Sequence, residues 1–307
     1  LKIKGMTKLI LDLRSNPGGY LSAAIEMVDE FLSQGKTIVY TEGHSRKKQI
    51  YTSSKYGRFE KEELVILIDE GSASASEIVA GAIQDQDRGL IIGRRTFGKG
   101  LVQEQNLMSD GSAFRLTTSR YYTPSGRCIQ KSYTKNSDDY NKESIERYKN
   151  GELYHQDSIK ITDSLKFYTA EGRVVYGGGG IYPDYFIPMD SIGRSNWLYD
   201  VLANNIINTF VIDYLNNEKE NLEIYESAAA FQMGYKVSET LFNSFIEETK
   251  NKGIHGSKLE INTSKKWLKM RLKALISRQI WNDEGFYRSI NHNDNMIEKA
   301  LELLYKK

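Results

Sequence analysis

The apolar run Leu64–Ile68 (LVILI) is the feature that most constrains the fold of this chain of 307 residues. Five consecutive apolar residues are typical of a strand that is covered on both faces. Gly71 follows the run, and Ser74–Gln84 then has the apolar spacing of a helix. A buried strand that leads through a turn into a helix indicates an α/β layer with crossover connections.

Neighbouring segments extend this alternation of strand and helix. Lys8–Leu13, Thr37–Tyr40 and Leu90–Ile92 are short apolar runs that predict further strands. Ala23–Leu32 carries apolar residues at helical spacing. Gln103–Tyr122 alternates between polar and apolar residues and predicts antiparallel strands. We therefore expect an α/β layer followed by an antiparallel region.

The second half of the chain has a different character. The polar segment Lys131–Lys166 predicts a surface insertion, with a helix near Lys142–Lys149. Helical periodicity dominates Asn196–Leu304. We divide the chain into a core over residues 1–190, which includes the insertion, and a mainly helical region over residues 191–307.

Composition excludes several classes of protein. No run approaches the roughly 18 apolar residues of a membrane-spanning helix. The 42 Lys and Arg residues and 40 Asp and Glu residues are scattered, without the basic stripe of a nucleic-acid-binding protein. The histidines lack metal-site spacing, and the single cysteine, Cys128, cannot form an internal disulfide. We expect no metal, no cofactor and no nucleic-acid partner.

A serine cluster stands at the predicted turn from strand to helix, in the sequence Gly71-Ser-Ala-Ser-Ala-Ser-Glu77. A hydroxyl here is well placed for nucleophilic attack, because the N-terminus of a helix offers N–H groups to a developing oxyanion. Ser74 and Glu77 also have the spacing of a capping box, in which the serine only satisfies N–H groups of the first turn. These residues alone leave Ser72, Ser74 and Ser76 as candidate nucleophiles.

Lys99 follows the next predicted strand, in Thr96-Phe-Gly-Lys-Gly100. A serine nucleophile needs a base, commonly a histidine, and no histidine lies between His44 and His155. A lysine can serve as base only in its neutral form, which a dry site without a carboxylate partner favours. The glycine and apolar neighbours of Lys99 suit such a site. The alternative is a surface lysine in a flexible turn.

The segment Gly93–Lys99 also fits the first seven positions of a phosphate-binding P-loop. The eighth position should be Ser or Thr, which holds Mg²⁺, and here it is Gly100. Leu101–Leu107 also lacks the pattern of the helix that would receive the phosphate. The sequence therefore argues against a nucleotide site.

Together these segments resemble the carboxy-terminal processing proteases, also called tail-specific proteases. The resemblance covers about Lys8–Gln130 and rests on four motifs in this order: DLRSNPGG, GSASASEIVAGA, TFGKGLVQ and YYTPSGR. It extends more weakly to Gly177–Asp184. The resemblance implies a crotonase/Clp-protease-like α/β core with a small β subdomain, followed here by the helical region.

The resemblance also implies a serine endopeptidase that cleaves protein or peptide substrates near their C-termini. The nucleophile of the family aligns with Ser74, and its base aligns with Lys99. These two residues would form a Ser–Lys dyad that passes through an acyl-enzyme intermediate. The family glutamine that orients the lysine falls on Gln103.

Further positions carry over from the same motifs. The oxyanion hole would combine the N–H of Ala75 with an N–H from the Gly18–Gly19 turn, where we favour Gly18. The supporting residues are expected to have separate roles: Glu77 as a helix cap, Thr96 as an aid in positioning the lysine, and Asp85 as a structural residue away from the lysine.

Family members commonly carry a peptide-binding PDZ domain and often a signal peptide before the first strand, and we expect both to lie outside this sequence. The resemblance implies the cell envelope, on the periplasmic side, and leaves a homo-oligomer open. The main alternative is a catalytically inactive peptidase fold that serves as a binding or scaffolding module. A third candidate, an acyl-CoA enzyme of the crotonase kind, explains neither the Ser74 nor the Lys99 segment.

Overall fold

The computed structural model describes residues 2–131, 137–159, 165–191, 193–222 and 224–306. The strands are β1 (Lys8–Asp12), β2 (Thr37–Gly43), β3 (Arg46–Thr52), β4 (Glu63–Ile68), β5 (Leu90–Gly93), β6 (Leu101–Leu107), β7 (Ala113–Tyr122), β8 (Lys166–Tyr168), β9 (Val174–Tyr176) and β10 (Tyr185–Phe186). The helices are α1 (Leu21–Asp29), α2 (Ala75–Asp85), α3 (Ser137–Lys149), α4 (Asn196–Ala203), α5 (Ile206–Leu222), α6 (Ala228–Gly234), α7 (Glu239–Asn251), α8 (Lys258–Ile290) and α9 (Asn295–Tyr305).

A parallel sheet forms the centre of the core, with strand order β1–β4–β5–β10. Its strand β4 is buried from Leu64 to Ile68, as the apolar run predicts. Helices α1 and α2 contribute Val28, Val79 and Ile83 to the same hydrophobic core. The predicted α/β fold class is confirmed.

A second, antiparallel sheet has the order β3–β2–β7–β6. It confirms the antiparallel region that alternation predicts for Gln103–Tyr122. Strand β3 was not predicted, because Arg46–Thr52 is an exposed edge strand whose polar residues do not alternate with buried ones. Strands β8 and β9 form a separate antiparallel hairpin.

The polar segment Lys131–Lys166 contains helix α3, which confirms the predicted helix. More than half of the side chains described in this segment are exposed, as a surface insertion predicts, but Lys131, Arg147 and Glu152 are buried. These charges are buried together as ion pairs, a pattern that composition alone does not reveal. Residues 132–136 and 160–164 of the predicted insertion lie outside the described residues.

The chain divides into two compact units, Leu1–Met189 with Glu298–Lys307, and Asp190–Ile297. In the first unit, the Lys8 ammonium donates to the carbonyl of Leu304 on helix α9. The second unit is helical, as predicted, and has its own core. Among the described residues, no helix combines the length and the apolar composition needed to cross a membrane.

Candidate active site

Three loops leave the carboxyl ends of adjacent parallel strands. Residues 13–20 (the glycine loop) follow β1, residues 69–74 (the serine loop) follow β4, and residues 94–100 (the lysine loop) follow β5. Because parallel strands all end at the same edge of a sheet, these loops meet there, where α/β proteins commonly bind ligands. Strand β4 lies between the other two, so the serine loop is placed between the glycine loop and the lysine loop.

The Asp69 carboxylate, at the end of β4, holds the first two loops together. Its Oδ1 accepts hydrogen bonds from the N–H of Ser15 at 2.7 Å and from the N–H of Gly71 at 3.0 Å. The carbonyl of Asn16 adds a second link, since it accepts the N–H of Ala73 at 3.0 Å. The glycine loop is therefore fixed against the serine loop by charge-assisted and backbone hydrogen bonds.

Two of the three candidate serines have structural hydroxyl contacts. Ser72 is fully buried, and its Oγ donates to the carbonyl of Leu13 at 2.7 Å. The Oγ of Ser76 donates to the carbonyl of Asn16 at 3.1 Å. Both hydroxyls thus donate to carbonyls of the glycine loop, and Ser74 stays the predicted nucleophile.

The backbone of Ser74 has a conformation that L-residues rarely adopt, with φ 56° and ψ −115°. Strain of this kind in a non-glycine residue often marks functional sites, including serine nucleophiles at sharp strand-to-helix turns. Ala75 follows as the first residue of α2. Its N–H has no hydrogen-bond acceptor among the described residues, so it can receive an oxyanion.

Gly18 lies directly against this turn, whereas Gly19 has open space around its Cα. A Cβ on Gly18 would stand 2.6 Å from the nitrogen of Ala75 and 2.8 Å from the Cβ of Ser74. Gly18 also has φ +93°, so the close approach and the backbone both require glycine here. Its N–H donates to Oδ1 of Asn16 at 2.9 Å, in a turn of the glycine loop.

The Glu77 carboxylate connects the serine loop to the lysine loop. It is fully buried, and its Oε2 accepts the N–H of Ser74 and the N–H of Lys99, each at 2.8 Å. Its Oε1 accepts the hydroxyl of Thr96 at 2.5 Å and the N–H of Gly98 at 2.8 Å. Burial raises the pKa of Glu77, while these four hydrogen bonds act in the opposite direction.

The expected role of Glu77 as a cap is therefore only half of its function. Its contact with Ser74 is the return half of a capping box, and its other three contacts hold Thr96, Gly98 and Lys99. The sequence could not show this second role, because it joins residues that are about twenty positions apart. Thr96 contacts Glu77 through its hydroxyl, and its part in positioning the lysine stays a prediction.

Replacing Glu77 by Gln is expected to destabilise the protein by about 2–4 kcal/mol. Each carboxylate oxygen of Glu77 accepts two hydrogen bonds. The amide of glutamine has the same shape, but its –NH₂ group cannot accept the two hydrogen bonds made to the oxygen that it replaces. Urea unfolding measures the change in the free energy of unfolding. Glu26→Gln, at an exposed position of α1, is the matched control. Equal stability of the two variants would contradict the proposed bridging role of Glu77.

Tyr121 also connects the two loops, although no pattern in the sequence pointed to it. Its buried hydroxyl lies 2.6 Å from the carbonyl of Lys99 and 3.0 Å from the carbonyl of Ser74. The only signal was its place in the motif YYTPSGR, for which the resemblance implied no role. Together, Glu77 and Tyr121 hold the backbones of Ser74 and Lys99 through main-chain groups, which leaves both side chains available.

Lys99 is half-buried at the end of the lysine loop, next to β6. Gln103 is exposed on β6, and within the described part of the chain no hydrogen bond joins it to Lys99. A cavity of about 500 Å³ opens beside this strand, lined in part by Leu101, His44 and Arg120. The orienting role of Gln103 stays a prediction.

Asp85 lies at the far end of α2 and is buried with Arg127. The Oδ1 of Asp85 accepts from Nη2 of Arg127 at 2.7 Å, and its Oδ2 accepts the N–H of Ser125 at 3.0 Å. This carboxylate therefore ties α2 to the turn after β7. The charge of Asp85 is neutralised by this arginine, and its structural role stays a prediction.

Two segments of the chain match models of known protein families. Residues 1–139 match the model of peptidase family S41. This match covers 139 of the 307 residues of the chain. The matched segment includes all three loops at the sheet edge, from Gly18 through Ser74 to Lys99. Residues 197–282, in the helical region, match a family of unknown function (DUF8443).

Similar proteins match less than half of this chain. A carboxy-terminal-processing protease of Bartonella bacilliformis is 49% identical over 130 residues, which are 42% of this chain and 29% of that protein. A probable CtpA-like serine protease of Staphylococcus aureus is 41% identical over 126 residues, 41% of this chain and 25% of that protein. The chain thus spans less than a third of the length of these curated relatives.

A solved structure, the photosystem II D1 C-terminal processing protease, shares 38% sequence identity with this chain. The match covers 42% of this chain and 33% of that one, with a TM-score of 0.39. The similarity to peptidase family S41 therefore rests on the sequence matches, and the match to the family model falls on residues 1–139, which build the candidate site.

Proposed function

We propose that this chain is a serine peptidase in which Ser74 is the nucleophile and Lys99 is the base. The observation that carries the proposal is the turn at Ser74. Its strained backbone presents the serine at the N-terminus of α2, beside the available N–H of Ala75 and the close approach of Gly18. Such a turn suits attack on a carbonyl, because it supplies a nucleophile and an oxyanion donor together.

The proposed reaction begins when the neutral amine of Lys99 takes the proton from Oγ of Ser74. The oxygen attacks the carbonyl carbon of a peptide bond, and backbone N–H groups hold the resulting oxyanion. The protonated lysine then gives its proton to the leaving amine, which yields an acyl-enzyme. Water, deprotonated by the same lysine, attacks the ester and releases a carboxylic acid and free Ser74.

Ala75 supplies one N–H of the proposed oxyanion hole, and the Gly18–Gly19 turn supplies the second. The N–H of Gly18 is held by Asn16, so an oxyanion would have to replace that side chain as acceptor. The N–H of Gly19 meets no acceptor among the described residues. We therefore keep both glycines in the proposal, with Gly18 supplying the close approach to the serine loop.

The proposed substrates are proteins or peptides, cleaved near their C-termini. Support comes from the names of the relatives, which are called carboxy-terminal-processing and CtpA-like proteases. The same similarity is the basis for proposing that the protein acts in the cell envelope, on the periplasmic side. Gln103 would orient the lysine only after a movement that brings its exposed side chain to Lys99.

Hydrolysis of defined peptides tests this function against the inactive binding module. We expect the protein to cut long unstructured peptides, with mass spectrometry locating the new ends close to the original C-terminus. The same peptide with a C-terminal extension should be cut at sites that shift with the new end. Binding without any cleavage would favour the scaffolding alternative, and cleavage at fixed internal sites would reject the C-terminal preference.

A further inference from the structure

A buried ionic cluster joins Arg95 of the lysine loop to the segment around α3. Glu152 is at its centre. Its Oε1 accepts from Nε of Arg95 at 2.6 Å and from Nε of Arg147 at 2.8 Å, and its Oε2 accepts from Nη2 of Arg95 at 2.8 Å. At the edge of the cluster, Lys131 pairs with Glu143 at 2.7 Å.

The cluster contacts the backbone of the lysine loop directly. Nη1 of Arg147 donates to the carbonyl of Thr96 at 3.0 Å, and Nη2 donates to the carbonyl of Arg95 at 2.6 Å. The N–H of Lys131 donates to the carbonyl of Gly98 at 3.0 Å, and its ammonium lies 4.0 Å from the centre of the Phe97 ring. The carbonyl groups of Arg95, Thr96 and Gly98 are thus all held by hydrogen bonds from this cluster.

The backbone N–H groups of the same loop are held by Glu77, which accepts hydrogen bonds from the N–H of Gly98 and the N–H of Lys99. The backbone from Arg95 to Lys99 is therefore fixed on both sides, by a carboxylate from the serine helix and by the fork of Arg147. Residues outside the three sheet-edge loops are needed for this, since Arg147 and Glu152 come from the segment around α3.

We propose that Arg147, fixed by Glu152, is a positioning residue that holds the lysine loop in the geometry that Lys99 needs to reach Ser74. The inference rests on the proposed function and assigns a role to the polar segment after the core motifs. In this role Arg147 does not contact the substrate, because its guanidinium acts only through the backbone of the lysine loop.

The chemistry of the cluster requires arginine at this position. A guanidinium is planar and can donate to two carbonyls and a carboxylate at once, whereas an ammonium is a single point of charge. Burial alone would raise the pKa of Glu152, but its hydrogen bond to Arg95 and the charge of Arg147 outweigh burial and lower it. Glu152 is therefore ionised at neutral pH and can hold both arginines.

Arg147→Lys tests the inference, because it keeps the charge beside Glu152 but loses the fork. We expect kcat per active site to fall about 10–100-fold, because a misplacement of about 1 Å in a catalytic group has effects of this size. The KM should stay within about twofold, because no substrate contact changes. Stoichiometric titration with a serine-reactive phosphonate counts the folded sites, so that a loss of folded protein is not mistaken for a loss of kcat.

Amide hydrogen exchange of residues 95–99 gives a second readout that does not depend on cleavage. We expect exchange about 10-fold faster or more in Arg147→Lys, and unchanged exchange in Lys149→Ala, an exposed position on the same helix. If the wild type cleaves no peptide but Arg147→Lys still exchanges faster at residues 95–99, the loop contact is supported and the proposed function is rejected. If Arg147→Lys does not fold, Glu152→Gln, which weakens the group that fixes Arg147, is measured in the same way.

Wild-type kcat in folded Arg147→Lys, with wild-type exchange of residues 95–99, would overturn the inference while leaving the proposed peptidase intact. A rise in KM at unchanged kcat would also overturn it, because that pattern indicates a binding contact rather than a positioned base.

Discussion

Replacing Ser74 by Ala is expected to abolish peptide cleavage, with a fall in kcat of at least about 10⁴-fold. The alanine removes the oxygen that forms the acyl-enzyme, and no neighbouring serine can substitute for it. The fold should persist, because the turn is held through the N–H and carbonyl of Ser74, which bind Glu77 and Tyr121. Steady-state kinetics and thermal unfolding measure the two effects.

Ser76→Ala is the matched control, since it removes a hydroxyl two positions away that only donates to the carbonyl of Asn16. We expect this variant to keep most of its activity and to lose about 1 kcal/mol of stability. Cleavage by Ser74→Ala at a rate similar to that of Ser76→Ala would show that Ser74 is not the nucleophile.

Replacing Lys99 by Met is expected to lower kcat by about 10²–10⁴-fold, the range that a general base commonly contributes. Methionine has a similar length but carries no basic group. Lys99→Arg should be equally impaired, because a guanidinium stays protonated at any working pH. The loop should keep its conformation in both variants, since Glu77 and Tyr121 bind the N–H and carbonyl of residue 99.

Lys47→Met, at an exposed position of the edge strand β3, is the control for the loss of a lysine. A small primary amine added to Lys99→Ala offers a further test. Recovery of activity that grows with the fraction of uncharged amine is the expected result. Full activity of Lys99→Met, with Ser74 still required, would mean that another base takes the proton.

The core of the fold could be predicted from local sequence. The run Leu64–Ile68 indicates a strand buried on both faces, and Gly71 with Ser74–Gln84 indicates the turn and helix that follow. Parallel order then brings the ends of β1, β4 and β5 to one edge of the sheet. Local patterns thus anticipated the elements around the site, whereas the pairing of Ser74 with Lys99 came from the family resemblance and stays a prediction. The boundary of the core at residue 190 stays a prediction.

The contacts that hold the site could not be predicted, because they join residues far apart in sequence. Tyr121 contacts the carbonyls of Ser74 and Lys99 from a different sheet, and Arg147 reaches the lysine loop from a segment that looks like solvent-exposed sequence. A polar composition commonly indicates a surface. Here the charges neutralise one another in the interior, and only the structure reveals their pairing.

The most direct test of the Ser–Lys pair is covalent labelling by a serine-reactive phosphonate, with the modified residue mapped by peptide mass spectrometry. We expect the wild type to form one adduct, on Ser74. Labelling should be strongly slowed in Lys99→Met, whereas Lys47→Met should be labelled at the wild-type rate. An adduct on another serine, or equal labelling of Ser74 with and without the Lys99 amine, would contradict the proposed pair.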